Sequence, residues 1–140
     1  MPPPARATGE DAPPHVERIL RLASFVSALD RFTIPPLIVP IHASLGISLR
    51  AAAAVATAYF IAYGVGQPLW GAASDRFGRV RVMRGAVIGG ALACALAAAA
   101  PTLPALLGAR AVGGLLVGAV VPTAITYVGD TIPVRRRQPA

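Results

Sequence analysis

The sequence predicts an all-α membrane protein with four transmembrane helices, and three observations predict it. The chain is 55% hydrophobic and only 14% charged, with a mean hydropathy of +0.63, which leaves too little polar surface to coat a soluble globule of this length. Its apolar residues gather into four runs, about 22–41, 51–70, 82–100 and 103–127. Each run approaches the roughly 20 residues needed to cross about 30 Å of hydrocarbon at 1.5 Å per residue. All thirteen basic residues are Arg, and most of them fall in short clusters at the ends of the runs. In a soluble protein the net charge of +7 would suggest nucleic acid. Here no aromatics interleave with the arginines, so the partner they imply is the lipid bilayer and not nucleic acid.

The first eighteen residues, with Pro2, Pro3, Pro4, Pro13 and Pro14 beside Glu10 and Asp11, are expected to form a disordered cytoplasmic tail. A cleaved signal peptide fits less well, because the apolar stretch that follows outruns a signal core and carries Asp30 and Arg31. The transmembrane region is then 19–140. Span 22–41 holds Pro35, Pro36 and Pro40 and is expected to be irregular. Span 82–100 is Ala-rich and short, and it crosses only if Arg84 snorkels to the headgroups. A soluble bundle of four such helices would have no polar face to meet water. Arg18 and Arg21 precede the first span, Arg76, Arg79, Arg81 and Arg84 lie between the second and third, and Arg135, Arg136 and Arg137 follow the fourth. The positive-inside rule therefore puts both termini in the cytoplasm. Gly85 and Gly89 in the third span, and Gly114 and Gly118 in the fourth, have the four-residue spacing that lets helix backbones pack closely in lipid. The general abundance of glycine in membrane helices explains any single pair equally well.

Charged residues inside a span are functional candidates by default. Asp30 lies roughly 13 Å in from Arg21 on a 1.5 Å rise, near the bilayer centre. Desolvation there favours its protonated form unless a cation pairs with it, which makes it a candidate proton carrier. The plainer reading pairs Asp30 with its neighbour Arg31, and the two readings stay open. Arg110 lies roughly 10 Å below the outer end of the fourth span, so an Asp30–Arg110 contact is feasible if the first and fourth spans are neighbours. Enzyme chemistry finds no support: there is no nucleophile with a base, no metal-spaced cluster and no phosphate-cradling loop. No cofactor is expected. His15 and His42 are isolated, and the lone Cys94 reads as a small packing residue.

The most informative stretch is Gly71-Ala-Ala-Ser-Asp-Arg-Phe-Gly-Arg-Val-Arg-Val-Met83, a charged turn between two apolar runs. It resembles the loop between the second and third helices of the major facilitator superfamily, Gly-x-Leu-Ala-Asp-Arg-x-Gly-Arg-Lys. Ala73 stands at the Leu position and Val80 at the Lys position. The resemblance implies a secondary transporter. In it Gly71 serves close helix approach, Asp75 is the gating charge, Arg76 and Arg79 are its partners, and Gly78 makes the turn. Arg110-Ala-Val-Gly-Gly114 is similar to the family's fourth-helix motif Arg-x-x-Gln-Gly, associated with proton coupling in antiporters, with Gly113 at the Gln position. Tyr127-Val-Gly-Asp130-Thr-Ile-Pro133 and the Arg-Arg-Arg-Gln138 after Val134 are similar to the stretch after that helix in drug-efflux members.

The resemblance covers residues 22–138 and implies the amino-terminal four-helix portion of a multi-pass transporter in a bacterial inner membrane. Its function would be proton-coupled efflux of a small organic solute by alternating access. Its partners would be that small-molecule substrate, protons and the remaining helices of a domain that has about twelve. Two alternatives are a self-contained, dimeric four-helix exporter and a membrane adaptor without transport activity. Small exporters of the first kind carry an essential Glu in their first helix, which this chain lacks.

Overall fold

The computed structural model describes residues 14–131, so the arginine cluster 135–137 and most of the expected tail lie outside the described residues. The chain forms α1 (Pro14–Leu45), α2 (Leu49–Phe77), α3 (Arg79–Ala98), α4 (Leu103–Val117) and α5 (Val120–Thr131), and no strand is present among the described residues. Four stretches are long and apolar enough to cross a membrane, Arg21–Leu45, Leu49–Phe77, Arg79–Ala98 and Leu103–Tyr127.

Three expectations about these helices are corrected. First, residues 14–18, expected in the irregular tail, are already helical. Second, α1 runs without a break through Pro35, Pro36 and Pro40. Each proline removes one N–H and crowds the carbonyl four residues earlier, but a neighbouring helix can hold such a segment in a membrane. Ile34, beside the prolines, is buried with Tyr59 and Tyr63 of α2. Third, the fourth span is not one helix. Pro122 has no N–H to give to Gly118, and its ring crowds that carbonyl. The backbone tightens there, with Ala119 N–H donating to Leu116 O at 3.0 Å before Thr123 N–H resumes the four-residue pattern on Ala119 O.

The helix ends follow from local chemistry. Ser48 caps α2 by accepting from the Ala51 N–H at 3.2 Å, as a serine at that position commonly does. One residue, Gly78, separates α2 from α3, and its φ of +90° is a conformation that residues with a Cβ rarely adopt. The expected turn glycine is therefore the hinge between the second and third spans.

In the packing, α4 is central: it lies against α2 on one side and α3 on the other, while α1 rests mainly on α2. Small residues set the spacing. A Cβ on Gly114 would run into the Tyr59 carbonyl oxygen, one on Gly118 would lie 2.8 Å from that of Tyr63, and one on Gly66 2.7 Å from that of Leu115. Thus the Gly114–Gly118 pair meets the α2 backbone directly, in the manner small residues allow in lipid. The indole of Trp70 reinforces the same seam, with Nε1 donating to Leu115 O at 2.7 Å.

The third span behaves differently from its glycine spacing. The face of α3 turned inward carries Val82, Ala86, Gly90 and Ala93, a helical repeat of three and four residues. Gly89 flanks that face and meets the flexible end of Leu116, whereas Gly85 looks onto open space. Gly85 is one residue, about 100° of helix rotation, away from buried Ala86; it is exposed, and a Cβ there would meet nothing within 4 Å. Gly114→Ala is therefore expected to destabilise the fold by about 1–3 kcal/mol, the usual cost of forcing extra volume into a packed interface, and Gly85→Ala to leave it unchanged. Thermal unfolding in detergent checks both. Equal melting temperatures for the two variants would contradict the assignment of the seam.

Candidate functional site

Asp30 leaves α1 toward α2 and α4 and is gripped on both carboxylate oxygens. Arg110 Nη1 donates to Oδ1 at 3.0 Å, and the Tyr59 hydroxyl donates to Oδ2 at 2.8 Å. The side chains of Arg110 and Asp30 are only 12% and 18% exposed, so little water screens the pair. The contact that sequence depth made feasible is formed, across 80 residues of chain. Charge-assisted bonds of this kind are roughly twice as strong as neutral ones, and each charge removes part of the other's cost of entering hydrocarbon.

Arg31 does not serve as the local partner of Asp30 that the plainer reading supposed. It points along α1 to a different layer, where its Nη1 donates to the Tyr63 hydroxyl at 3.3 Å. Its guanidinium carbon lies 5.5 Å from the Tyr63 ring centre. Adjacent residues on a helix point about 100° apart, which sends the two charges to different neighbours. The layers are nevertheless joined. Arg110 sits 4.9 Å over the Tyr59 ring, Tyr59 stacks on Tyr63 at 6.1 Å and 19°, and Tyr63 meets Arg31. The result is a chain of contacts running from cation through two aromatic rings to a second cation, with the Asp30 carboxylate bonded at its Arg110–Tyr59 end. Cation–ring contacts contribute about 0.5–2 kcal/mol, more when desolvated.

Tyr59 and Tyr63 do not stand out as site residues in the sequence. A signal is present all the same: two tyrosines four residues apart, on one face of an Ala-rich span, carry hydroxyls that need partners in a medium that offers none. Asp30 also lines an apolar cavity of about 1070 Å³ between α1, α3 and the α4–α5 region, with Val26, Met83, Val87, Cys94 and Val120 on its walls. Cys94, expected as a packing residue, is exposed and faces this cavity.

The charged turn lies at the ends of α2 and α3. Arg79 Nη2 stands 3.6 Å from Asp75 Oδ1 across the Gly78 hinge, and the Asp75 side chain is 68% exposed. Arg76 lies over the Phe77 ring at 5.7 Å. Gly71, expected at a close helix approach, has open space where a Cβ would stand, and its carbonyl accepts the Ser74 hydroxyl at 2.9 Å. Within these helices no backbone presses on Gly71. Asp75 near the end of α2 and Arg79 and Arg81 in the first turn of α3 run against the helix dipoles, whereas Arg76 in the last turn of α2 runs with its own. Each unfavourable placement costs a few tenths of a kcal/mol to about 1 kcal/mol, so dipole stabilisation does not account for Asp75, Arg79 and Arg81. Asp130, in the third motif, carries a side chain outside the described residues. Among the described residues no three His, Cys, Asp or Glu side chains gather where a metal could sit.

Comparison with known proteins matches residues 20–140 to the Major Facilitator Superfamily. The chain belongs to that superfamily. This places it among transporters and not among enzymes, and makes it a multi-pass membrane protein. It is 32% identical over 119 residues to a triacylglyceride transporter of Mycobacteroides abscessus, an alignment covering 83% of this chain and 23% of the relative. It is 33% identical over 118 residues to multidrug resistance protein 3 of Bacillus subtilis, covering 84% and 23%. With puromycin resistance protein pur8 of Streptomyces alboniger it shares 31% identity over 110 residues, covering 79% and 22%. The chain thus spans about a quarter of the length of these superfamily relatives. No solved structure matches it.

Proposed function

We propose that this chain is the amino-terminal, four-span portion of a major facilitator exporter that moves small organic molecules out of a bacterium through the inner membrane, driven by protons, with both termini in the cytoplasm. The observation that carries the reading is the Asp30–Arg110 pair, a carboxylate and a guanidinium bonded at 3.0 Å between the first and fourth spans. A charge pair with no task beyond stabilising the fold is hard to account for in hydrocarbon, where apolar side chains of the same volume often serve as well. Intramembrane ionisable residues more commonly belong to proton or substrate paths.

In this mechanism Arg110 and Asp30 neutralise each other while the two are bonded. A movement of α1 relative to α4 that separates them leaves the carboxylate without its cation on the wall of an apolar cavity, and a proton then becomes the more favourable neutraliser. Return of Arg110 expels it. Binding of substrate supplies the bias only if it holds one arrangement better than the other. The charged turn around Asp75, at the cytoplasmic end, is read as the latch that alternates with these movements, since exposed ion pairs of this kind remake at small cost. Names among the relatives, a multidrug resistance protein and a puromycin resistance protein, support efflux of small organic solutes.

The test is substrate accumulation in inverted vesicles containing the complete transporter. Dissipating the pH gradient with a protonophore should abolish uphill accumulation and leave downhill exchange. Uphill transport that survives the protonophore would exclude proton coupling.

A further inference from the structure

Tyr59 is fully buried, and three independent contacts fix where its hydroxyl lies. Its backbone carbonyl is pressed by α4 at Gly114, which has no room for a Cβ. Its ring lies under the Arg110 guanidinium at 4.9 Å and stacks on Tyr63. The hydroxyl, held by this packing, reaches Asp30 Oδ2 at 2.8 Å. One side chain therefore touches both members of the ion pair, the carboxylate by a hydrogen bond and the guanidinium by its ring.

We infer that Tyr59 is the positioning residue that couples Asp30 to Arg110 and serves the carboxyl group in both of its protonation states. A phenol hydroxyl is a donor and an acceptor at once. It donates to the carboxylate as seen here, and after Asp30 has taken a proton it can accept from the resulting carboxylic acid without leaving its place. Arg110, from α4, and Arg31, on α1 beside Asp30, are donors only. From α2, the Tyr63 hydroxyl is engaged by Arg31. Ser27, Arg79, Arg84 and Tyr127 line the cavity that Asp30 faces, on α1, α3 and α5. The inference rests on the reading of Asp30 as a proton carrier for its biological meaning, but its physical content concerns the titration of Asp30 and stands apart from transport.

The bland alternative is that Asp30 merely satisfies a buried tyrosine hydroxyl. The two differ in what Tyr59→Phe does to the carboxyl group. The experiment is a pH titration, by infrared difference spectroscopy, of the complete transporter reconstituted in liposomes. The carboxylic acid C=O band of Asp30 is identified as the one that Asp30→Asn removes. Loss of a hydrogen bond to a charged group should displace the midpoint of that band by about one pH unit and shift its frequency, while Tyr63→Phe, which removes a hydroxyl bonded to Arg31, should leave both in place. A midpoint and frequency unchanged in Tyr59→Phe would overturn the inference. If that variant fails to fold, site-specific replacement of Tyr59 by 3-fluorotyrosine keeps ring and hydroxyl but makes the hydroxyl a stronger donor. An unmoved midpoint there overturns the inference equally, and a displaced one supports the coupling. Failure of the proton-carrier reading looks different: Asp30→Asn would keep proton-driven transport, whatever the infrared midpoints show.

Discussion

Asp30→Asn is expected to reduce proton-driven accumulation to background while substrate binding persists. Asparagine keeps the size of the side chain and one acceptor oxygen, but it cannot take up and release a proton in the physiological range. It also leaves Arg110 as an uncompensated charge where only 12% of its side chain meets solvent. Removing one partner of a buried pair typically costs about 3–5 kcal/mol, so the single variant should also melt earlier. The double variant Asp30→Asn with Arg110→Gln separates the two effects. With both charges gone, most of the lost stability should return, because a neutral pair escapes the cost of desolvation, and coupling should stay absent. Melting curves and vesicle accumulation assays read the two quantities. Normal pH-dependent transport by Asp30→Asn would end the proton-carrier role and return Asp30 to a structural one.

Asp75→Asn is expected to lower transport at least about tenfold, equivalent to about 1.4 kcal/mol, with insertion and melting temperature nearly unchanged. The asymmetry follows from exposure. An ion pair whose acid is 68% exposed, at 3.6 Å from its arginine, adds about 0–1 kcal/mol to a fold, so its loss is hardly felt by these helices. Asp75 also sits where the α2 dipole disfavours an anion. The expected loss of transport therefore follows from the proposed latch, in which Asp75 makes and breaks contacts as the transporter changes state, and not from fold stability. Transport at the normal rate by Asp75→Asn, with normal amounts in the membrane, would leave the neighbouring arginines with a purely topological role.

How far the sequence can be read varies along the chain. The third span is legible because its limits are local: an arginine-rich turn on one side and Pro101 on the other. The divided fourth span is also a local matter, since Gly118 and Pro122 carry the break, but hydropathy averages over a window and is blind to a single missing N–H. The inward face of α3 is not legible. Around that helix almost every residue is apolar, and in a membrane the lipid side and the protein side make the same demand on hydropathy, so Gly85 and Gly89 look equivalent on paper while only Gly89 touches α4.

The sequence by itself determined the class of the protein, its spans, the charged turn and the intramembrane charges Asp30, Arg31 and Arg110. These are additive or local properties: enough consecutive apolar residues to cross hydrocarbon, and charges too costly to lie there without purpose. Only the tertiary structure decided which groups meet. That Asp30 is shared by Arg110 and Tyr59, and that Arg31 turns away to Tyr63, depends on the rotation and crossing of α1, α2 and α4. Those of α2 and α4 follow from the close backbone approaches at Gly114, Gly118 and Gly66, and α1 packs mainly on α2. In lipid no hydrophobic gradient tells a helix which face to turn inward, so shape, and with it the identity of each polar partner, is settled by packing between segments far apart in the chain.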